Sequence, residues 1–148
     1  MKLKKNIKRT IKFRGKRLKT DDPLERWIEG SLVEYTDIYD HKQVRIVSSS
    51  GHYNDVSPET VGQFTGQLDK NGKEIYEGDI ITVKGLFPRV VLWDKMMWAL
   101  MPTEYYHDEV FWVMNLQHPG VDWWEEFADE FEIIGNIHDN PSLISDKR

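Results

Sequence analysis

Hydrophobic and polar positions alternate along this chain in short bursts separated by glycine, proline, asparagine and serine. Ile7, Arg9, Ile11 and Phe13 alternate with lysines and arginines, which predicts a first strand ending at Gly15. Asp21-Asp22-Pro23 is a turn, because proline fixes φ and disfavours helix in the residue before it. Trp27 to Val33 predicts a second strand in which Gly30 marks a bulge or a close backbone approach. Gln43 to Val47 predicts a third, ended by Ser48-Ser49-Ser50-Gly51. Ser57-Pro58-Glu59-Thr60 suits a single helical turn with Ser57 as N-cap and proline at the first position.

The second half carries the sharpest local signal. Asn71-Gly72 tolerates the positive φ angles of a type I′ turn, so strands should meet antiparallel around Asp69 to Lys73. Further apolar runs follow at Ile80–Val83, Arg89–Trp93 and Met97–Met101. Strands this short at spacings of about ten residues are the pattern of a small barrel or sandwich. Past Pro102, Val110–Leu116 reads as another strand. Asp122 to Phe131 reads as a short helix, with Trp124, Phe127, Ala128 and Phe131 on one face. Phe131 to Ile137 returns to strand character and Asp139-Asn140-Pro141 ends it.

Several segments resemble the YopX family of phage and prophage proteins. They are Ile11 to Arg17, Trp27 with Gly30-Ser31-Leu32, Val61 to Gly66, Asp69 to Ile80 and Phe131 to Pro141. The resemblance spans most of residues 7 to 144 in family order. His138 stands where tyrosine is commoner in the family, and residues 102 to 126 match no family segment. The resemblance implies a mainly β fold with minor α content. It implies an SH3-like β-barrel at 61–144 after a smaller irregular β section at 1–60, in which the helix read near 122–131 would be an insertion in the barrel. It also implies a phage or prophage origin, but no activity. Physically, Gly62, Gly66, Gly72, Gly78 and Gly135 suit points of sheet curvature. Asp79, Asn136 and Asn140 suit carboxylate or amide contacts to turn backbone.

Composition narrows the function classes. The chain has 148 residues and no cysteine, which excludes disulfides, thiolate metal sites and cysteine nucleophiles. Its longest apolar stretch, Met96–Met101, is six residues, against the roughly 20 of a spanning helix. With no secretory leader pattern at its start, a cytoplasmic protein that does not engage membranes is expected. Net charge is -5, yet residues 1–20 hold ten of the 20 Lys and Arg and no Asp or Glu. That basic arm supplies one candidate site, a nucleic-acid contact through Arg9, Lys12, Arg14, Lys16 and Arg17. Phe13 is its only aromatic residue, so the arm by itself lacks the rings on which bases stack.

His41, His52, His107, His118 and His138 have no second histidine at the spacings that place two metal ligands on one face, so no metal or cofactor is expected. Glu125, Glu126, Asp129 and Glu130 read as a solvated helix face, and no nucleophile elbow or phosphate loop is present. The chain is therefore read as a non-enzymatic protein. Its leading candidate surface is the aromatic-rich stretch bearing Trp98, Tyr105, Tyr106, Trp112, Trp123 and Trp124. Exposed tryptophan and tyrosine favour a protein partner or a homo-oligomer contact. Nucleic-acid binding through the basic arm is the second choice, and a metal-dependent enzyme a distant third.

Overall fold

The computed structural model describes residues 10–94, 97–107 and 127–144. They form two antiparallel sheets joined by loops and single 3-10 turns. The chain divides into two compact units, residues 1–66 and 67–148. Among the described residues no helix is long and apolar enough to cross a membrane.

The first unit contains β1 (Phe13–Lys16), β2 (Trp27–Thr36), β3 (Lys42–Val47), β4 (Tyr53–Asp55) and the start of β5 (Gly62–Leu68). The strand order is β4-β3-β2-β1-β5. Of the expected first strand, residues 7–9 lie outside the described residues; the described part is strand from Phe13, and Gly15 lies inside it opposite Ile28. Strand alternation sends every second side chain inward. Ile28, Ile46 and Val56 form the core, with Phe13, Leu32, Val44 and Val61 packed around them.

Gly30 is the close approach its position in β2 suggested. Its φ is +155°, and a Cβ there would sit 2.0 Å from the Val47 carbonyl oxygen, so only glycine fits. Beyond β4 the chain returns to the end of β1. Val56 bridges Arg17, with Leu18 N–H donating to the Asp55 carbonyl at 3.0 Å and Ser57 N–H to the Lys16 carbonyl at 2.8 Å. Thr60 secures that junction, accepting from Lys16 N–H at 2.9 Å while its hydroxyl donates to the Ser57 carbonyl. Ser57 occupies the expected N-cap position of the Pro58–Thr60 turn, but its carbonyl, not its side chain, closes the turn.

The second unit contains β6 (Glu74–Tyr76), β7 (Asp79–Val83), β8 (Leu86–Asp94), β9 (Met97–Pro102) and β10 (Phe131–Asn136). Its four-stranded sheet has the order β10-β7-β8-β9. Every residue of β7 is buried, because this sheet is covered on both faces. One face packs Ile80, Val90, Leu92, Ala99, Met101 and Ile144; the other packs Ile75, Ile81, Val83, Val91, Leu100 and Phe131.

Two expectations change here. Among the described residues no closed barrel forms: β9 and β10 are outer strands with no ladder between them. In the first unit the return to β1 stops after one bridge. The helix expected near 122–131 is absent from its described part. Residues 128–130 make one 3-10 turn, and Phe131 turns inward as the first residue of β10. Residues 122–126 lie outside the described residues, as does the strand expected at 110–116.

The Asp69–Lys73 hairpin is present, with a different turn. Gly72 alone takes positive φ, +80°, while Asn71 does not. The result is a type I turn closed by a left-handed glycine. The Asp69 carboxylate explains the choice, since it accepts from Asn71 N–H at 2.8 Å and Lys73 N–H at 2.9 Å. Its other oxygen accepts from Ile133 N–H in β10 at 3.2 Å, so one buried carboxylate ties hairpin to sheet. The expected polar ties at the other turns are present. Asp79, 1% exposed, accepts from Tyr76 N–H at 2.7 Å, and Asn140 accepts from Asn136 N–H. Asn136 in turn accepts from the His138 and Asp139 N–H groups.

Candidate functional site

The first unit's sheet has one face on its core and one face outward, and the outward face gathers cations and rings. Directly opposed residues of an antiparallel pair share a face. Lys16 lies opposite Trp27 and Arg14 opposite Glu29. Farther along, Arg45 lies opposite both Val33 and Asp55, and Val47 opposite Tyr53. This side therefore carries Arg14, Lys16, Trp27, Glu29, Arg45, Tyr53 and Asp55, opposite to the side that buries Ile28 and Ile46.

Cations sit over rings along it. The Arg14 guanidinium lies 4.7 Å and the Lys16 ammonium 5.6 Å from the Trp27 ring centroid. Lys12 lies 5.3 Å over Phe64 and pairs with Glu29 at 3.7 Å. Arg45 is held between Tyr35, at 4.5 Å, and Tyr53, at 4.2 Å. Its Nε donates to Asp55 at 3.1 Å and its Nη2 to the Tyr35 hydroxyl at 3.2 Å, while that hydroxyl donates to Asp55 at 3.0 Å. Burial, followed by the bond to Asp55, pushes the Tyr35 phenol above its ordinary range. The bond to Asp55 is also the main reason Arg45 holds its proton more firmly than usual. Contacts between a cation and a ring contribute about 0.5–1 kcal/mol each at exposed sites, so their main effect is to fix side-chain orientation.

Of the candidate basic residues, Lys12, Arg14 and Lys16 come together on this face. Arg17 does not: strand alternation puts it on the side of Gly15, across the bridge from Val56. Arg9 lies outside the described residues. The rings missing from the basic arm are supplied by other strands, Trp27 and Tyr35 from β2 and Tyr53 from β4, while Phe64 of β5, under Lys12, is buried. The signal was present in β2, where Trp27, Glu29, Ser31, Val33 and Tyr35 alternate. What it lacked was the knowledge of which strands lie beside it.

The aromatic stretch of the second unit is placed differently. Trp98 is half-buried against the core and meets Trp93 edge-on at 5.0 Å. Tyr105 and Tyr106 are half-buried against the opposite core cluster, and burial raises the Tyr106 phenol above its ordinary range. Trp112, Trp123 and Trp124 lie outside the described residues. Among the described residues of this unit, the exposed large apolar side chains include Leu86, Phe87 and Trp93.

The first unit also carries two smaller polar groupings. Ser50 Oγ lies 2.8 Å from His52 Nδ1 and Ser48 Oγ 2.9 Å from Ser50 Oγ, on an exposed turn open to water. His41 Nδ1 lies 3.4 Å from Asp37 Oδ2, and Asp37 accepts from the Tyr39 and His41 N–H groups. Those backbone bonds, the His41 one foremost, hold Asp37 below the usual carboxylate range, which is the signature of a turn cap.

Charge separates the units. Residues 1–66 carry 13 basic and 9 acidic side chains, net +4, whereas residues 67–148 carry 7 and 16, net -9.

Fold and surface together define a mainly β protein whose first unit presents a basic, ring-bearing sheet face. The YopX protein family model matches residues 4–145, so the chain belongs to the YopX family. Among solved structures it is similar to protein EF1440 from Enterococcus faecalis, at 20% identity and a TM-score of 0.48, over 92% of this chain and 99% of that one. No curated protein matches it.

Proposed function

We propose that this YopX family member is a non-enzymatic phage or prophage accessory protein, acting in the host cytoplasm, that binds nucleic acid on the outward face of its first sheet. The observation that carries this reading is the row of Lys12, Arg14 and Lys16 on one sheet face, with Arg14 and Lys16 set over Trp27. Cations that track a phosphate chain, interleaved with rings, are the recurring chemistry of strand-binding surfaces. The acidic second unit repels phosphate and so favours binding on this face.

Titration of a labelled oligonucleotide at increasing salt tests it. Three phosphate contacts give a slope of about -2 in log affinity against log salt for a single strand. Lys12→Glu with Lys16→Glu should abolish most of the binding while the thermal melt stays put. No binding at low ionic strength, or binding indifferent to both substitutions, overturns the proposal.

A second reading, contact with a protein partner or a second copy, draws on the second unit. The tip between β7 and β8 exposes Leu86 at 58% and Phe87 at 61%. Lys84 and Phe87 there hold positive φ, +53° and +54°, a conformation with a steric cost for non-glycine residues. Light scattering on the purified protein, compared with Leu86→Ser and Phe87→Ser, tests this. A monomer in all three cases counts against self-association.

A further inference from the structure

We infer that the β4 end of the outward face is a stacking site for an unpaired nucleobase, so that the strand bound is single-stranded. This rests on the nucleic-acid reading above and narrows it.

Tyr53 is 60% exposed, yet its ring does not hang loose. Arg45 lies against it at 4.2 Å, and Arg45 is itself fixed by Asp55 and by the Tyr35 ring and hydroxyl. An exposed ring held in place beforehand loses little freedom when a second flat group stacks on it. The Arg45–Asp55 bond also keeps that guanidinium facing ring and carboxylate.

The chemistry beside the ring suits a base more than a phosphate. A cleft of about 220 Å³ opens there, lined by Leu18, Lys19, Tyr53, Asn54 and Asp55. Asp55, on the same side of the strand as Tyr53, is an acceptor only, and its Oδ1 already takes Arg45 and Tyr35. A carboxylate reads the amino and imino edges of bases, whereas it repels phosphate. Lys19 stands at the same cleft to meet the phosphate attached to the stacked base. In paired duplex the base faces are covered by their neighbours, so such a ring has nothing to stack on.

The test is anisotropy of a labelled 12-nucleotide single strand and of a matched hairpin duplex at low salt. It uses the full chain, Tyr53→Ala, Tyr53→Phe and, as a control, Tyr39→Ala, which removes an exposed ring of the β2–β3 turn. The unaltered protein should bind the single strand more tightly than the duplex. Tyr53→Ala should weaken single-strand binding by about tenfold. Its duplex binding should not change, and Tyr53→Phe and Tyr39→Ala should behave as the unaltered chain. Tyr53→Phe retains the ring, so its agreement with the parent separates stacking from a folding defect. Equal affinity for both forms, or a Tyr53→Ala protein that binds the single strand normally, overturns the stacking site while leaving the broader reading in place. If neither form binds the unaltered protein, both fall together.

Discussion

The two units use the same sheet-building material in opposite ways. In the second, β7 is buried along its whole length and apolar clusters cover both faces of the sheet. In the first, the core cluster of the described residues, around Ile28, Ile46 and Val56, lies on one face. The other face is occupied by cations, rings and a few carboxylates that hold one another in place. A sheet with both faces packed has little outward surface to offer a ligand. A sheet packed on one side must make its other side soluble, and here it does so with groups that also suit a polyanion.

Four substitutions test this contrast, in falling order of effect. Gly30→Ala should be the most damaging, because the new methyl would sit 2.0 Å from the Val47 carbonyl oxygen at a φ of +155°. A loss of about 4 kcal/mol, read from the urea midpoint, is expected from combined overpacking and backbone strain. Preserved stability would mean that β2 and β3 lie farther apart than described.

Asp69→Asn tests the second unit, and should cost about 3 kcal/mol by weakening three bonds to backbone N–H groups. The same residue predicts an acid response. Burial alone would raise its pKa, but the N–H groups of Lys73, Ile133 and Asn71 outweigh that, and the carboxyl titrates below its ordinary range. A depressed carboxyl contributes stability that is fully present above the unfolded pKa of about 3.9 and is lost as pH falls through the lower folded value. Melts taken from pH 5 down to pH 2 should therefore fall more steeply for the parent than for Asp69→Asn. Parallel curves would remove Asp69 from that role.

Tyr35→Phe deletes the hydroxyl shared by Arg45 and Asp55 and should cost about 1 kcal/mol. If the network orients Tyr53, single-strand affinity drops with it. Lys16→Glu should change stability by no more than about 0.5 kcal/mol, as an exposed-face substitution, while weakening nucleic-acid binding severalfold. An effect on stability larger than that on binding would make Lys16 an architectural residue.

Much of the architecture was legible in the residues. Alternation located β2 and β3, Asn-Gly located the hairpin, and Gly30 announced a close approach. Asp79, Asn136 and Asn140 were readable as ties to turn backbone because short carboxylate and amide side chains next to turns have few other partners. The turn type was not readable, since it follows from the Asp69 carboxylate reaching two backbone N–H groups and a third in β10. The three-residue β4 passed unnoticed because Tyr53-Asn54-Asp55 alternates over too short a span to show a period. The outward face was only half visible. Lys12, Arg14 and Lys16 stand in sequence order, but Trp27 and Phe64 reach them, and Tyr53 reaches Arg45, through strand pairing, which no local pattern encodes. Trp98, Tyr105 and Tyr106 show the same dependence on the fold: near one another in sequence, they are half-buried against different core clusters.

The most direct measurement is amide chemical-shift mapping of the labelled full chain as a short single-stranded oligonucleotide is added at low salt. Shifts are expected at Lys12–Lys16, at Trp27 and around Tyr53–Asp55, with residues 74–83 and 131–136 unmoved. Shifts confined to the second unit, or none at any concentration, would rule out strand binding on this face.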